Sequence, residues 1–404
     1  MPTTTADVPI HLVVDFDVHD QSIAATTHDA LTAVRDVGPV TWSPAHGGHW
    51  LVTSYEAARH VLTHPEIFSS RKNSVPRFDQ IPRTIPLEYD AAEHSEYRRF
   101  IDPLFAPQRM RSLEDTIRAL CISLIDTFAT KGSCELVSEY AHALPAGMFL
   151  ALMGWPMDDL QQFMTWTDWI INPPAGISDE ERLSYRQRAV QGWSAYFGTM
   201  IAAYREKPDD TYTSAIVNGR FANERPLTDE ELVNMFGLLM IAGLHTVRGV
   251  LGLGVIAIAR DDTLRQQLLS DPAAIPPFVE EMLRMEAPAS PGRIATQDVE
   301  LGGVTIREGD RVMVSLTAAN RDPDEYAEAA AIILDRDQNR HMAFAVGPHR
   351  CVGSHLARVE LRVALEELLK RIPDFRLASE PRLHSGQVRG VLEIQLSFTP
   401  TATA

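Results

Sequence analysis

Long stretches of helical periodicity fill the middle of the 404-residue chain, whereas short strand patterns stand near both ends. Apolar residues recur at helical spacing in residues 116–128, 182–206, 229–260 and 353–371. Strand patterns are short and dispersed, at residues 50–53, 299–304, 311–314 and 391–396. Because strands so far apart must pair with one another, the pattern predicts a mainly α fold with a minor β part, in one domain over residues 1–404. The β-richer parts are expected near residues 10–70, 290–320 and 380–398.

Two segments in or after the β-richer part near residues 290–320 allow further predictions. Residues 299–304 and 311–314 flank the turn sequence Glu308-Gly309-Asp310, so we expect them to form a hairpin. Residues 325–342 are long and irregular in period. A compact domain seldom carries such a stretch without a functional reason.

Composition and charge exclude some classes of function. The chain is 45% hydrophobic and 23% charged, as ordinary globular proteins are, and its net charge is -17. An acidic surface disfavours nucleic acid and anionic membranes as partners. It favours a basic protein partner, or it simply serves solubility. Apolar residues dominate 235–258, but Gly, His, Thr and Arg interrupt them, so this segment predicts a long buried helix and no membrane span.

Cysteine usage bears on the cellular compartment. The three cysteines, Cys121, Cys134 and Cys351, are too few and too scattered for a disulfide framework. The first residues lack the basic and then apolar pattern of a signal peptide. We therefore expect a cytoplasmic protein.

Cys351 stands in a glycine-bounded loop just before a strong helical pattern. Gly347 and Gly353 bracket it, and Pro348 stiffens the approach. Amide groups at the start of a helix, together with the neighbouring His349 and Arg350, favour a thiolate. A lone cysteine is more often a buried structural residue, but this context favours a metal ligand.

The segment resembles the haem-binding signature of the cytochrome P450 family, F-x-x-G-x-H/R-x-C-x-G-x-x-L-A-R. The matching residues are Phe344, Gly347, His349, Cys351, Gly353, Leu356, Ala357 and Arg358. One position departs, because Ala345 stands where the family usually has glycine. The resemblance implies a single triangular domain with haem b between a long central helix and the helix after the cysteine. Cys351 would then ligate the iron, and Phe344 and Gly353 would lie against the cofactor.

Other segments resemble further signatures of the family. Glu281 and Arg284 match its E-x-x-R helix, and Arg336 matches the arginine of the irregular segment that supports this pair. Taken alone, a pair three residues apart would be a solvated salt bridge. By the same resemblance, four donors would bind the two haem propionates: His94, Arg98, Arg293 and His349.

The family's oxygen-activating helix has a counterpart in residues 238–247. Ala242 and Gly243 match the small residues that allow a local opening beside haem, and Thr246 matches the threonine that hydrogen-bonds to bound oxygen. His245 departs from the usual Asp or Glu. Its imidazole either relays protons or points away and forms a structural hydrogen bond. We hypothesise that proton delivery is altered in this protein.

The resemblance also implies partners. Residues 13–17, 47–50 and 371–375 resemble the camphor-hydroxylase branch of the family. That branch takes electrons from an acidic ferredoxin, which a flavoprotein ferredoxin reductase reduces. The basic residues that would form its docking patch are Arg98, Arg99, Arg109, Arg111, Arg350 and Arg358. We expect a monomer without nucleic acid or membrane partners.

By alignment with the family, the pocket wall is mostly apolar with a few polar groups. Its predicted residues are Leu238, Ile241, Ala242, Ala289, Ser290, Gln387 and Val388, and residues 71–89 would cover it. Ser290 and Gln387 favour a substrate with hydrogen-bonding groups, such as a terpenoid alcohol, an aromatic compound, an indole or a cyclodipeptide. The predicted activity is haem-dependent monooxygenation of a small organic substrate with O2. The alternatives are oxidative C–C or C–N coupling of an indole or cyclodipeptide, and a haem-binding protein without turnover.

Overall fold

The computed structural model describes residues 2–221 and 225–401. In chain order, the α-helices α1 to α14 of these ranges are Thr27–Val37, Tyr55–Thr63, Ala91–Ile101, Pro107–Arg111, Glu114–Asp126, Ala143–Met153, Leu160–Ile171, Asp179–Glu206, Tyr212–Asn218, Asp229–Arg260, Asp262–Ser270, Ile275–Met285, Leu316–Ala319 and Ser354–Arg371. The strands β1 to β12 are Val40–Ser43, His49–Val52, Phe68–Ser69, Ser133–Glu135, Gly292–Ala295, Val299–Leu301, Val304–Ile306, Arg311–Val314, Arg376–Leu377, Arg382–His384, Gly390–Glu393 and Gln395–Ser397.

The four predicted helical segments correspond to α5, α8, α10 and α14. The predicted and observed helix ends differ most at the start of α8, which begins at Asp179 although the prediction began at residue 182. Ser178 explains the earlier start, because its hydroxyl accepts from the Glu181 amide while the Glu181 carboxylate accepts from the Ser178 amide. This reciprocal cap stabilises a first turn that has no apolar residue to reveal it.

The main sheet joins segments that are far apart in sequence. Its strand order is β1-β2-β8-β5-β3, with β2 and β8 parallel and the other pairs antiparallel. Residues near 40–70 therefore pair with residues near 292–314. This long-range pairing beside a mostly helical chain confirms the predicted mainly α fold with a minor β part.

The expected hairpin around Glu308-Gly309-Asp310 is wrong. Strand β6 pairs instead with β7 across Gly302 and Gly303, whose φ angles are 59° and 83°. Two consecutive residues with positive φ form the tight turn that matches the twist of a hairpin, and glycine adopts this conformation without strain. Strand β8 then pairs with β2 and β5 in the main sheet.

The alternating run at residues 391–396 is divided between two sheets. β11 pairs with β10, whereas β12 pairs with β4 and β9. Val391, Ile394 and Leu396 are all fully buried. The spacing of three between Val391 and Ile394 breaks the alternation, so the chain leaves one sheet and enters the next at this point.

Helix α10 lies at the centre of the molecule and packs against α6, α8, α14 and β11. Thr228 and Glu231 form a reciprocal cap at its start. By length and composition α10 is apolar enough to cross a membrane, but 72% of its most hydrophobic window is buried inside the protein. This burial fits the predicted core helix. Residues 325–342 contain no helix or strand.

Candidate functional site

Cys351 lies at the end of a tight loop that precedes α14. Its amide donates to the Phe344 carbonyl over 2.8 Å, and the Arg350 amide donates to the Gly347 carbonyl over 3.1 Å. Gly347 has a φ of 75°, and a Cβ atom there would lie 2.6 Å from the Leu62 carbonyl oxygen. Only glycine fits this position, because both its φ and its close contact with α2 exclude a side chain.

The Cys351 side chain is accessible but lies in a recess that protein atoms surround. The loss of hydration in this recess raises the pKa of the free Cys351 thiol. A hydrogen bond from the Gly353 amide and the guanidinium groups of Arg98, Arg350 and Arg358 oppose that effect. The groups expected to stabilise a thiolate are therefore present, although burial outweighs them in the free thiol. A bound metal ion deprotonates a coordinating thiol.

The structure brings together the four residues predicted for the propionates. The rings of His94 and His349 lie with their centroids 4.0 Å apart. Burial, and then the nearby guanidinium groups of Arg98 and Arg293, lower the pKa of His94 to about 4 and that of His349 to about 2. Both imidazoles are therefore neutral at neutral pH. His349 was expected to add positive charge beside Cys351, and burial among other cations disfavours its protonation.

Arg293 provides a test of whether an anionic cofactor fits this cluster. Its side chain is only 3% exposed, and within the described residues its guanidinium donates a single hydrogen bond, to the Gly292 carbonyl over 2.8 Å. Burial lowers its pKa to about 10, so it stays charged at neutral pH. A buried cation with so few acceptors is costly unless an anion pairs with it. Carboxylates such as the haem propionates fit this requirement.

The middle of α10 presents an accessible surface within an otherwise buried helix. Ala242 is exposed although Met240, Leu244 and His245 are buried. The Thr246 hydroxyl donates to the Ala242 carbonyl over 3.2 Å. Ala242 and Thr246 therefore share a face that can receive a flat cofactor and its ligands.

Gly243 has a packing role that the sequence did not predict. A Cβ atom at this position would lie 2.5 Å from the Phe149 ring, so glycine allows α10 to pack closely against α6. The local opening of the helix beside haem, which the match to the family pattern implies, stays a prediction.

His245 is 3% exposed, and its Nε2 lies 2.7 Å from the Thr167 hydroxyl on α7. The Asp168 carboxylate is 3.7 Å from the same nitrogen. Burial lowers the pKa of His245 well below its ordinary value, and the nearby Arg248 adds to this effect. The geometry favours the structural hydrogen bond over the proton relay, because the ring is neutral and contacts α7.

Glu281, Arg284 and Arg336 form a buried network. The Glu281 carboxylate accepts from Arg284 over 2.8 and 2.9 Å and from Arg336 over 3.0 Å. Arg284 also donates to the carbonyls of Ala329 and Ala331 over 2.7 Å each. The network therefore ties α12 to residues 325–342, whose backbone has no regular hydrogen bonding of its own.

Of the predicted pocket residues, Gln387 is not available to a substrate, because its side-chain amide is bound to the protein itself. Its Oε1 accepts from the Val75 amide over 2.7 Å, and its Nε2 donates to the carbonyls of Ser290 and Asn73. Ala289 and Val388 form a β-bridge beside it. Gln387 therefore fixes residues 73–75 to the C-terminal hairpin, and its use as evidence for a hydrogen-bonding substrate is wrong.

The structure adds residues that the sequence did not identify. Ser70 lies with its hydroxyl 2.9 Å from His349 Nε2. Glu280 accepts from Arg358 over 2.7 Å and contacts His341 over 2.9 Å, which anchors α14 to α12. Glu280 precedes the recognised pair directly, but no spacing rule links it to a residue 78 positions away.

Together, the fold and this site are those of a haem-dependent oxidoreductase. The family model "Cytochrome P450" matches residues 180–382. The chain is 35% identical over 395 residues to the mycinamicin IV hydroxylase/epoxidase of Micromonospora griseorubida, covering 94% of this chain and 96% of that protein. It is 33% identical to the probable cytochrome P450 127A1 of Sinorhizobium fredii, covering 92% and 90% of the two chains. The chain belongs to the cytochrome P450 family.

Solved structures agree with this assignment. The crystal structure of CYP101J2 superposes with a TM-score of 0.87 at 29% identity and covers 98% of this chain and 100% of its own. That of CYP109E1 from Bacillus megaterium in complex with testosterone gives a TM-score of 0.87 at 26% identity, covering 94% and 99%. The predicted family and fold are confirmed. The protein is an oxidoreductase that uses haem iron, an organic substrate, O2 and electrons from a redox partner.

Proposed function

We propose that this protein is a monooxygenase that holds haem b through Cys351 and oxidises a small organic substrate with electrons from a ferredoxin. The observation that carries the proposal is the cluster of the four predicted propionate donors beside an accessible Cys351, and the accessible Ala242–Thr246 face of α10 supports it. Bound haem supplies the oxygen activation and the electron storage that amino-acid side chains lack.

The chain's own residues have separate tasks. Cys351 supplies the sulfur ligand, and the Gly353 amide holds part of its negative charge through a hydrogen bond. Arg98 and Arg293 bind carboxylates as permanent cations, and His94 and His349 donate as neutral imidazoles. The Arg358 guanidinium packs over the Phe344 ring, 4.6 Å from its centroid, and this contact stabilises the position of the ring.

Proton supply is assigned to Thr246 and water rather than to His245. The Thr246 Oγ1–H bond to the Ala242 carbonyl is long, at 3.2 Å, so the hydroxyl can turn toward a ligand on the accessible face. His245 is neutral and is held by Thr167. Replacing His245 with Asp should raise peroxide leakage, because it removes this bond and buries a carboxylate near Arg248. Unchanged turnover and leakage would contradict the proposed altered proton delivery.

The cysteine ligand is tested by spectroscopy of the haem-loaded protein. The reduced carbon monoxide complex should show the red-shifted absorption band of a thiolate-ligated haem. Cys351→Ser should abolish that band. Cys121→Ser and Cys134→Ser are matched controls, because both cysteines are buried and burial raises their pKa to about 12. A thiolate band that survives in Cys351→Ser would overturn the proposal.

The ferredoxin is proposed to dock on the basic patch near the cysteine loop. Arg99, Arg109, Arg111 and Arg350 are exposed, whereas Arg98 donates to the carbonyls of the cysteine loop and Arg358 pairs with Glu280. Arg109→Glu is therefore the cleaner test. It should slow reduction by an acidic ferredoxin at low salt, and added salt should shrink the difference. Arg382→Glu on β10 is the control of equal charge, and equal effects of both variants would count against the patch.

Product analysis separates monooxygenation from oxidative coupling. A monooxygenase places one oxygen atom from labelled O2 into its product, whereas a coupling enzyme removes hydrogen and returns none. The non-catalytic alternative has no support, because the curated relatives include proteins named as hydroxylases and monooxygenases. Cytoplasmic location and a monomeric state remain part of this proposal.

A further inference from the structure

Two arginines in the first turns of α8, Arg182 and Arg186, have no hydrogen-bond or ion-pair partner in the described chain. Arg182 is only 9% exposed, makes no hydrogen bond or ion pair there, and has a buried Nε without an acceptor. Arg186, one turn later, is half-buried; its guanidinium lies over an aromatic ring and makes no hydrogen bond or ion pair within the described residues. By contrast, Arg284, which is fully buried, pairs with Glu281. A buried guanidinium group normally has such acceptors, so their lack at Arg182 calls for an explanation, and the half-buried Arg186 lacks them as well.

The arginine pair lies where α8 meets the segment that covers the pocket. The Arg186 guanidinium carbon is 5.0 Å from the centroid of the Phe78 ring. Arg182 interacts electrostatically with His19 and His384. His19 in turn bonds the Val75 carbonyl over 2.6 Å. Since the Val75 amide is bonded to Gln387, the arginines lie close to the hairpin that carries the predicted pocket wall.

The carboxylates nearest to these arginines are engaged elsewhere. Glu88, which attracts Arg186, accepts from the backbone amides of Asn73 and Thr84 over 3.0 and 2.9 Å. Asp17 and Asp179, which attract Arg182, are both bound to His46 over 2.9 and 2.7 Å. None of the three lies within ion-pair distance of either guanidinium in the described residues. The pair therefore keeps its capacity to bind an anion.

The covering segment adds further positive charge in a chain whose net charge is -17. Its cations are Arg71, Lys72, Arg77 and Arg83. Of these, Arg77 pairs with Asp79, and Lys72 donates to the Ile81 carbonyl. This local excess of cations beside the pocket attracts negatively charged molecules to it.

We propose that Arg182 and Arg186 bind the carboxylate of an organic acid substrate, whose apolar body lies against Leu238, Ile241 and Val388. Arginine suits this task because its planar guanidinium pairs with both oxygens of a carboxylate. The wall itself offers few free polar groups, since the amide of Gln387 is fully used. The proposal rests on the haem-dependent oxidation proposed above, and it identifies the chemical class of the substrate.

The test uses the haem-loaded protein and matched pairs of probes that differ in charge. The pairs are dodecanoate with dodecan-1-ol, an indole carboxylate with its amide, and a steroid carboxylate with its alcohol. Binding is measured by the spin-state shift of the haem and, independently, by calorimetry. In at least one pair the acid should bind about tenfold or more tightly than its neutral partner, the effect expected of a charge-assisted hydrogen bond in a buried site.

Variants assign that preference to the arginine pair. Arg186→Gln and Arg182→Gln should each weaken binding of the acid about tenfold and leave binding of the neutral partner unchanged. Arg186→Lys, which keeps the charge, should restore part of the affinity. Arg188→Gln is the matched control, because Arg188 is exposed on the same helix. It should leave both affinities unchanged.

Three results overturn the inference: no acid in the panel binds, the neutral partners bind as tightly as the acids, or Arg188→Gln weakens acid binding as much as Arg186→Gln. The carbon monoxide spectrum of the same preparations separates these failures from failure of the proposed function. A normal thiolate band without preference for acids contradicts only the arginine site. Loss of that band in the unaltered protein contradicts the haem enzyme itself. If Arg182→Gln fails to fold, Arg186→Gln and Arg186→Lys still decide the outcome.

Discussion

Ala345, in the cysteine loop, has a φ of 53°, in the left-handed region that glycine adopts freely. A residue with a Cβ atom costs about 1 kcal/mol or more there. Ala345→Gly should therefore stabilise the haem-loaded protein by about 1 kcal/mol in urea denaturation. Ala343→Gly is a matched control, since Ala343 is buried nearby without a positive φ, and it should destabilise. A loss of stability in Ala345→Gly would show that the loop is not strained.

His46 joins the turn between β1 and β2 to the start of α8. Its Nε2 lies 2.9 Å from Asp17 and its Nδ1 lies 2.7 Å from Asp179. The two carboxylates raise the pKa of His46 despite its burial. Stability from this contact is therefore complete below the unfolded pKa of about 6.5, and it is lost as the pH rises through the higher folded pKa.

His46→Asn tests this contact, because asparagine tolerates the positive φ of 55° at this position. The variant should be less stable than the parent at pH 6, and the difference should shrink by pH 9. Free energies of unfolding from urea titrations at several pH values measure the difference. His11→Asn, at an exposed position, is the control. A difference that stays constant with pH would show that protonation of His46 does not hold the contact.

At the scale of elements, the network around Glu281 is the main support of residues 325–342. Arg284 is 0% and Glu281 is 2% exposed at the side chain, so removing one charge leaves the other buried and unpaired. Glu281→Gln should therefore cost about 3–5 kcal/mol in unfolding free energy and lower haem retention. Glu380→Gln is the control, because it breaks an exposed pair with Arg260 and should cost less than about 1 kcal/mol. If Glu281→Gln and Glu380→Gln lower the unfolding free energy by similarly small amounts, residues 325–342 are held by other contacts.

Elements differed in how far the sequence could predict them. The four predicted helices were found because apolar residues recur in them at helical spacing, and α10 was predicted with the ends that the structure shows. The strands near residues 299–314 were paired wrongly, because Gly302-Gly303 and Glu308-Gly309-Asp310 both match turn chemistry, and only the main sheet decides between them. Strand partners depend on contacts across the whole chain, which local patterns do not contain.

The candidate site shows the same limit at the scale of the whole molecule. Cys351 and its glycines were predicted because a short motif carries them, and Glu281, Arg284 and Arg336 were predicted because they match further signatures of the family. The engagement of Gln387 with Val75, the contact of His245 with Thr167 and the unpaired Arg182 were not predictable. Each depends on how residues more than 70 positions apart in the chain pack together, because this packing decides which polar groups find a hydrogen-bond partner.

The many buried histidines should make the whole molecule sensitive to acid. Burial lowers the pKa of His19, His142 and His384 to about 4 and that of His49 to about 3. Their stabilising effect is complete above the unfolded pKa of about 6.5, and it is lost as the pH falls, because the unfolded chain takes up protons that the folded chain excludes.

Below the unfolded pKa of about 6.5, each of these histidines lowers the unfolding free energy by up to about 1.4 kcal/mol per pH unit. This is a large share of an ordinary unfolding free energy of about 5–15 kcal/mol. The unfolding free energy of the haem-loaded protein should therefore fall steeply between pH 6 and pH 5. Its slope against pH should correspond to the uptake of more than two protons on unfolding. His142→Phe, which removes one buried imidazole, should lower that slope by about one proton. The raised pKa of His46 does not offset the loss, since its contact is complete at pH 6. A slope below one proton would mean that these imidazoles accept protons inside the folded protein.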